Sequence, residues 1–213
     1  EEKKQGTFGC VKRCSGLLLE RNMALIEKGF ASTYSLLFKK QPGSIRDYEE
    51  WLSENTVRIM SGKSAFGGTN YYPEGFAFYW KLGNGRRVSF DEIMAVGKLS
   101  AAEKDIQSYK TIGKALEGIS FFTAELFEGD NFNYIESPLV YHGTNVYKTY
   151  DITYGDNTGV CFLALNSKHV YGSYRILESQ FSMKCYNSLY MNRCLEMDSC
   201  SKCADSYFCH NSE

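Results

Sequence analysis

Three cysteines near the end of the chain, Cys185, Cys194 and Cys203, stand nine residues apart, and Cys200 and Cys209 repeat the interval. In the same frame Asn187, Glu196 and Asp205 align, as do Ser188 with Ser206 and Arg193 with Lys202. A short fixed period constrains a chain strongly, because each repeat can bury its apolar side chains only by stacking on the last. The spacing predicts a short β-solenoid of about three turns, with like residues in ladders roughly 4.8 Å apart. Asx and Ser side chains bond nearby backbone at tight corners, and Asn166-Ser167, Asn187-Ser188, Asp198-Ser199, Asp205-Ser206 and Asn211-Ser212 supply them. Cysteine, small and apolar, suits the narrow inside. The last rung then presents an open edge, a template for another chain.

Three chemistries fit these cysteines. They are buried free thiols in a ladder; or disulfides, since eight is an even count and stacked rungs bring Cα atoms within bridging range; or metal ligands, since Cys200, Cys203, Cys209 and His210 offer four donors for zinc. The last set departs from the spacing of common zinc fingers, because His210 adjoins Cys209. Cys10 and Cys14, four apart, read as a local pair or as packing residues.

The first half reads mostly helical. Leu18, Leu25 and Ile26 mark a helix from about Cys14 to Lys28, with Gly29 as its C-terminal cap. A second helix starts at Ser44, with Asp47 three residues on, and carries Ile45, Tyr48, Trp51, Leu52 and Ile59 on one face. Gly62 and Gly67-Gly68 break it. Phe76 to Leu82 and Arg86 to Phe90, joined by Gly83-Asn84-Gly85, read as a β-hairpin. Ser100 and Glu103 form a capping box for a third helix bearing Ile106, Tyr109, Ile112, Leu116 and Ile119, extended by Phe121 to Phe127 and stopped at Gly129. From about Asn131 helical periods vanish. Short β-like runs replace them at Leu139–Tyr141, Val146–Thr153, Val160–Leu165 and His169–Ile176. The expected fold class is therefore α+β: residues 1–130 helical with a hairpin, residues 131–213 β-rich and ending in a short Cys-laddered solenoid.

The stretch from Asn157-Thr158-Gly159-Val160-Cys161-Phe162 through Met183-Lys184-Cys185-Tyr186-Asn187-Ser188 to Tyr207-Phe208-Cys209-His210-Asn211 resembles a family of uncharacterised, mainly archaeal, Cys-rich proteins. That family repeats Cys-Tyr-Asn-Ser and Tyr-Phe-Cys-His-Asn units. The likeness covers about sixty residues, and the family's repeats usually run on where this chain stops at Glu213. The resemblance implies the solenoid and brings no activity with it.

Catalytic signals are sparse. Tyr141-His142-Gly143-Thr144 resembles the first motif of ADP-ribosyltransferases, in which a His-Gly pair holds the nicotinamide ribose and amide of NAD. That resemblance implies His142 as the NAD-binding residue and Tyr171 or Tyr174 as the stacking ring. Glu178, Glu196 and Glu213 all depart from the place of the family's catalytic Glu. Gly62-Lys63-Ser64 ends like a phosphate loop, but Val57 stands where the first Gly belongs, and no strand precedes it on this reading. His142, His169 and His210 give no spaced metal pair. Tyr71-Tyr72 and Phe76-Phe78-Tyr79-Trp80 lack the basic surround that base stacking needs.

Twenty-four basic against 25 acidic residues, net −1, argue against a nucleic-acid platform or a polybasic membrane binder. No apolar run reaches the roughly 18 residues of a membrane span. Sixteen Tyr and 14 Phe favour sheets and interfaces. The chain starts at Glu1, as a processed or trimmed chain does, and asparagine sequons are absent. The expectation is a structural, self-assembling subunit of a shell or filament, such as a virus capsid or a cell-surface sheath. Its partners are copies of itself, and its setting is extracellular or in a virion. The alternatives are an ADP-ribosyltransferase-like enzyme and a zinc-stabilised binding module.

Overall fold

The computed structural model describes residues 16–76, 79, 81–128, 135–161, 163–178 and 180–213. Cys10 and Cys14 lie outside the described residues. The architecture is α+β, with helices gathered in the first half and short parallel pairings in the second.

Helix α1 (Gly16–Phe38) runs straight through Gly29, where the sequence suggests a cap. The reason is packing. A Cβ at position 29 would overlap the Asn157 carboxamide and the Tyr171 hydroxyl, so the glycine lets the helix lie close against the second half. Its buried stripe is Ile26, Phe30, Tyr34 and Leu37, at helical spacing.

The Ser44 capping box forms as expected: the Ser44 amide donates to Asp47 Oδ2 at 2.9 Å, and the Ser44 hydroxyl accepts from the Arg46 amide at 3.3 Å. It starts only a 3₁₀ turn (Ile45–Tyr48) and the short α2 (Glu49–Ser53). Ile59 then lies not on that helix but in strand β1 (Ile59–Lys63), which pairs antiparallel with β2 (Thr69–Pro73). The hairpin therefore sits at the Gly67-Gly68 break rather than at residues 76–90. There Tyr79 is buried, Asn84–Arg86 is a 3₁₀ turn, and Arg87 pairs with Phe122. Residues 77, 78 and 80 of that expected hairpin lie outside the described residues.

Helix α3 (Phe90–Val96) starts at a capping box of Ser89 and Glu92. The third expected helix shortens to α4 (Tyr109–Glu117), capped by Ser108, whose hydroxyl accepts from the Thr111 amide. The Ser100 box does not form: Glu103–Asp105 is a separate 3₁₀ turn with Ala102 before it. Residues 121–127 do not extend a helix. They lead into β3 (Leu126–Glu128), which pairs parallel with β4 (Leu139–Tyr141).

From there a ladder takes over. Every isolated bridge from Tyr171 onward joins residues twelve apart and runs parallel: Tyr171 to Met183, Met183 to Leu195, Leu195 to Tyr207, and so on to Asp198 with His210. Within each pass the unit is three residues. The first makes the bridge. The second is left-handed, at φ between 47° and 55° for each of Lys184, Asn187, Tyr190, Arg193, Glu196, Ser199, Lys202, Asp205, Phe208 and Asn211. The third turns inward. Such a φ strains a non-glycine residue by roughly 1 kcal/mol. It is held because most units donate two cross-pass hydrogen bonds, as when Tyr186 donates to Met197 and Asn187 donates to Tyr174.

This corrects the nine-residue rung. The pass is twelve residues, and nine is three of its three-residue units. The inward series from Ser182 is Cys185, Ser188, Met191, Cys194, Met197, Cys200, Cys203, Ser206, Cys209 and Ser212. No two of these cysteines are twelve apart, so none stacks directly on another. Met197, for example, separates Cys185 from Cys209. The expected cysteine ladder is a mixed interior of Ser, Cys and Met.

The two halves share a core. Ile26, Phe30, Tyr34, Leu37, Ile45 and Leu52 pack against one ladder column, Ile135, Tyr147, Tyr171, Met183 and Leu195. Phe30 meets Tyr171 edge-on, with ring centroids 5.4 Å apart. Burying each such side chain contributes about 1.5–3 kcal/mol. The inward residues form a second core of their own, from Val140 to Cys200.

Candidate functional site

A cavity of about 850 Å³ opens where the 3₁₀ turn and α2 meet the ladder, with Arg46, Glu49, Glu54, Arg58, Lys148 and Cys161 in its wall. Three of its charged groups, Arg46, Glu49 and Lys148, belong to one network of paired charges. Glu49 accepts from the Tyr147 hydroxyl and from Lys148. Lys148 also lies 3.7 Å from Glu136, which reaches Arg46 at 3.4 Å. Burial disfavours the charge on Glu49, but its hydrogen bonds from Lys148 and Tyr147 outweigh that and hold the carboxyl below its ordinary range. A carboxylate pinned in this way is a poor general base. Burial pushes the Cys161 thiol well up, which removes it as a nucleophile. Burial and the Glu49 hydrogen bond likewise raise Tyr147.

A second cluster repeats the arrangement farther along. Lys184, almost wholly buried, meets Glu54 at 2.5 Å and Glu196 at 3.6 Å and lies over the Trp51 ring. Trp51 Nε1 donates to Glu196 at 3.1 Å. Both clusters fasten the helical layer to the ladder.

His142 and Tyr171 are not brought together. His142 is exposed and left-handed, the middle residue of one three-residue unit, and stacks on Tyr154 twelve residues on. Gly143 is the inward residue of that unit, and a Cβ there would overlap Val146. The ladder alone thus explains the His-Gly string. Tyr171 is buried under α1 and donates to Asn157, and Tyr174 bridges to Tyr186 on the ladder. Gly62 and Lys63 lie in β1, a strand where the sequence suggests helix, and a hairpin turn rather than a helix follows them.

No family model matches the chain, and no curated protein or solved structure matches it.

The zinc donors do not converge. Cys200, Cys203 and Cys209 face the inside, each thiol donating to the carbonyl two residues before it. His210 stands outside, 3.5 Å from Asp198. Among the described residues no group of three His, Cys, Asp or Glu side chains is placed to hold a metal ion. The six described cysteines are free thiols. The nine-residue interval does have a physical meaning: Cys194 Sγ lies 3.3 Å from the Cys203 carbonyl, and Cys200 Sγ lies 3.3 Å from that of Cys209. Nine residues on is the diagonal neighbour on the next pass. Inward serines follow the same rule, with Ser182, Ser188, Ser206 and Ser212 donating to the carbonyl two residues back. Asn187, Asp205 and Asn211 stand at left-handed corners as the Asx-Ser reading expects, but Asn166 is not left-handed, and at Asp198-Ser199 the corner is Ser199 while Asp198 makes the bridge.

Sequence reasoning missed the cross-pass pairs. Residues twelve apart meet as Arg193 with Asp205, Lys184 with Glu196, Asn187 with Ser199 and His169 with Phe181. The signal was present: every third residue from Ser182 to Ser212 is Ser, Cys or Met. No helix among the described residues is long and apolar enough to cross a membrane.

Proposed function

We propose that residues 126–213 form a β-solenoid of twelve-residue turns, and that the protein is a non-catalytic, self-associating subunit of a shell or filament such as a capsid or sheath. The observation that carries the reading is the two-sided ladder. Each turn donates backward, as Lys202 does to Leu189, and forward, as Asn192 does to Cys203. A turn with nothing stacked on it therefore presents aligned donors and acceptors. Among the described residues, the amides of Ala204, Tyr207 and His210 have the place in the last turn that Asn192, Leu195 and Asp198 fill one turn earlier. Wherever such a coil ends, its last turn offers the same face to a second copy. The paired charges of the cavity beside α2 serve this reading as fasteners of the fold. A near-zero net charge favours association.

Native mass against concentration, with negative-stain imaging of the same sample, tests it. Concentration-dependent growth into rods, sheets or shells is expected. A protein that stays monomeric at every concentration overturns the reading.

A further inference from the structure

Away from the helical layer, a groove of about 450 Å³ runs along the outer flank of the ladder, between Asn166, Glu178 and Tyr190 on one side and Gln180 and Asn192 on the other, with Met191 in its floor. Two features set it apart from the charged cavity. Its polar side chains are not consumed by one another: among the described residues Asn166, Glu178, Gln180 and Asn192 make no side-chain hydrogen bond. Its one ring, Tyr190, is half exposed and stacks on no described neighbour. Three carboxamides, a carboxylate and an open aromatic face thus border one groove.

That lining selects a ligand by elimination. Among the described residues the groove wall holds no Lys or Arg, and Glu178 repels anions, so phosphate backbones and sulfated chains are disfavoured. An extended peptide would need backbone groups to pair with. The bridge residues here are already engaged, since Gln180 donates to Met191 and Asn192 to Cys203, each at 3.0 Å, so no continuous strand edge is offered. Met191, nearly all buried, leaves no apolar pocket for a side-chain anchor. What remains is a ligand with many hydroxyls, no charge and a flat C–H face. Carboxamides and a carboxylate donate to and accept from hydroxyls, while an aromatic face packs against a sugar ring. Gln180 and Asn192 are bridged partners on adjacent passes, so their carboxamides repeat at roughly 4.8 Å along the ladder, a spacing comparable to one pyranose unit. We infer that this flank binds an uncharged, extended oligosaccharide, with Tyr190 as the stacking platform and Glu178, Gln180 and Asn192 as hydroxyl partners.

The site lies on the side of the ladder and not at its end, so it stands or falls independently of self-association. The full chain is probed on an array of neutral, anionic and cationic glycans, and neutral hits are then titrated as soluble hexasaccharides by calorimetry. Retention of neutral glycans is expected, with binding at least tenfold weaker in Tyr190→Ala and in a Gln180→Ala, Asn192→Ala double variant. The double variant changes only exposed side chains, so it keeps the test valid should Tyr190→Ala disturb the fold. Glu178→Gln is expected to keep most of the binding, since an amide still bonds hydroxyls. No retained neutral glycan, a preference for cationic glycans lost in Glu178→Gln, or neutral binding unchanged in the double variant would each overturn the inference.

Discussion

The ladder and the helical layer that covers it are stabilised by opposite means. The ladder uses one local rule many times: a bridge residue, a left-handed corner, and a small inward residue whose hydroxyl or thiol bonds the carbonyl two residues back. No single side chain dominates, and the inside tolerates Ser, Cys or Met at successive positions. The layer uses individual large residues once each. Phe30, Tyr34 and Tyr48 pack ring against ring over Tyr171, and two lysines from the ladder reach carboxylates on α2 and beside it. A repeated rule lets turns be added without redesign, whereas the layer fixes one place along the ladder as unique.

The largest expected effect separates the regions directly. Phe30→Ala removes a fully buried ring from the layer and should cost about 3–5 kcal/mol there, seen as early loss of Trp51 fluorescence on heating while the ladder's far-UV signal melts later. A single coincident transition at lower temperature would instead show that the regions unfold as one unit.

The second effect is a split in pH dependence. Glu49 and Glu92 in the first half have carboxyls held below their ordinary range; burial opposes this, but hydrogen bonds to the carboxylates outweigh it. Their contribution is present above the unfolded value of about 4.3 and is lost as pH falls through the lower folded value. In the ladder, burial raises the Cys161 and Cys185 thiols. Their contribution is present below the unfolded value of about 8.5 and declines as pH rises beyond it, by about 1.4 kcal/mol per pH unit for each thiol. Tyr147 and Tyr171 at the seam are raised too, by burial first, but their loss starts only near pH 10. Acid should therefore loosen the layer first, and mild alkali the ladder. The double variant Cys161→Ser, Cys185→Ser should recover roughly 3 kcal/mol of the loss between pH 7 and 9.5 in denaturant titrations. An unchanged alkaline slope would contradict the thiol assignment.

The smallest effect concerns the outside of the ladder. Arg193 and Asp205 meet on adjacent passes, both about half exposed. Arg193→Asp should cost under about 1 kcal/mol, and adding Asp205→Arg should restore it, by urea midpoints at low salt. No recovery in the double variant would show that the cross-pass pairing contributes nothing.

Much of this contrast was legible in the sequence, and the rest was obscured for physical reasons. Helices in the first half and short parallel pairings in the second follow the change from helical periods to short runs, and Ser44 with Asp47 marked a real cap. The twelve-residue pass was hidden because residues stacked in one column differ: Cys161, Ser173, Cys185, Met197 and Cys209 share a column and alternate in size to fill the narrow inside. Cysteine spacing alone therefore reported nine, a diagonal. Gly29 looked like a stop signal because a glycine that ends a helix and a glycine that lets a helix approach its neighbour are identical in sequence. The His142-Gly143 string looked like a nucleotide-binding motif because a left-handed corner before a crowded inward position also selects a glycine second. The flank groove had no motif at all, since its residues are spread from 166 to 192 and converge only through the ladder.

The most direct test of the twelve-residue repeat is a pair of deletions followed by far-UV circular dichroism and thermal melts. Removing residues 186–197 takes out one whole pass and keeps every inward column aligned. Removing residues 186–194 keeps the three-residue unit but rotates all that follows by one side, setting Asp198 and Phe208 out of register with their partners. The account predicts that the twelve-residue deletion retains a cooperative melt within a few degrees of the intact protein, while the nine-residue deletion loses it. Equal tolerance of both deletions, or better survival of the nine-residue one, would contradict it.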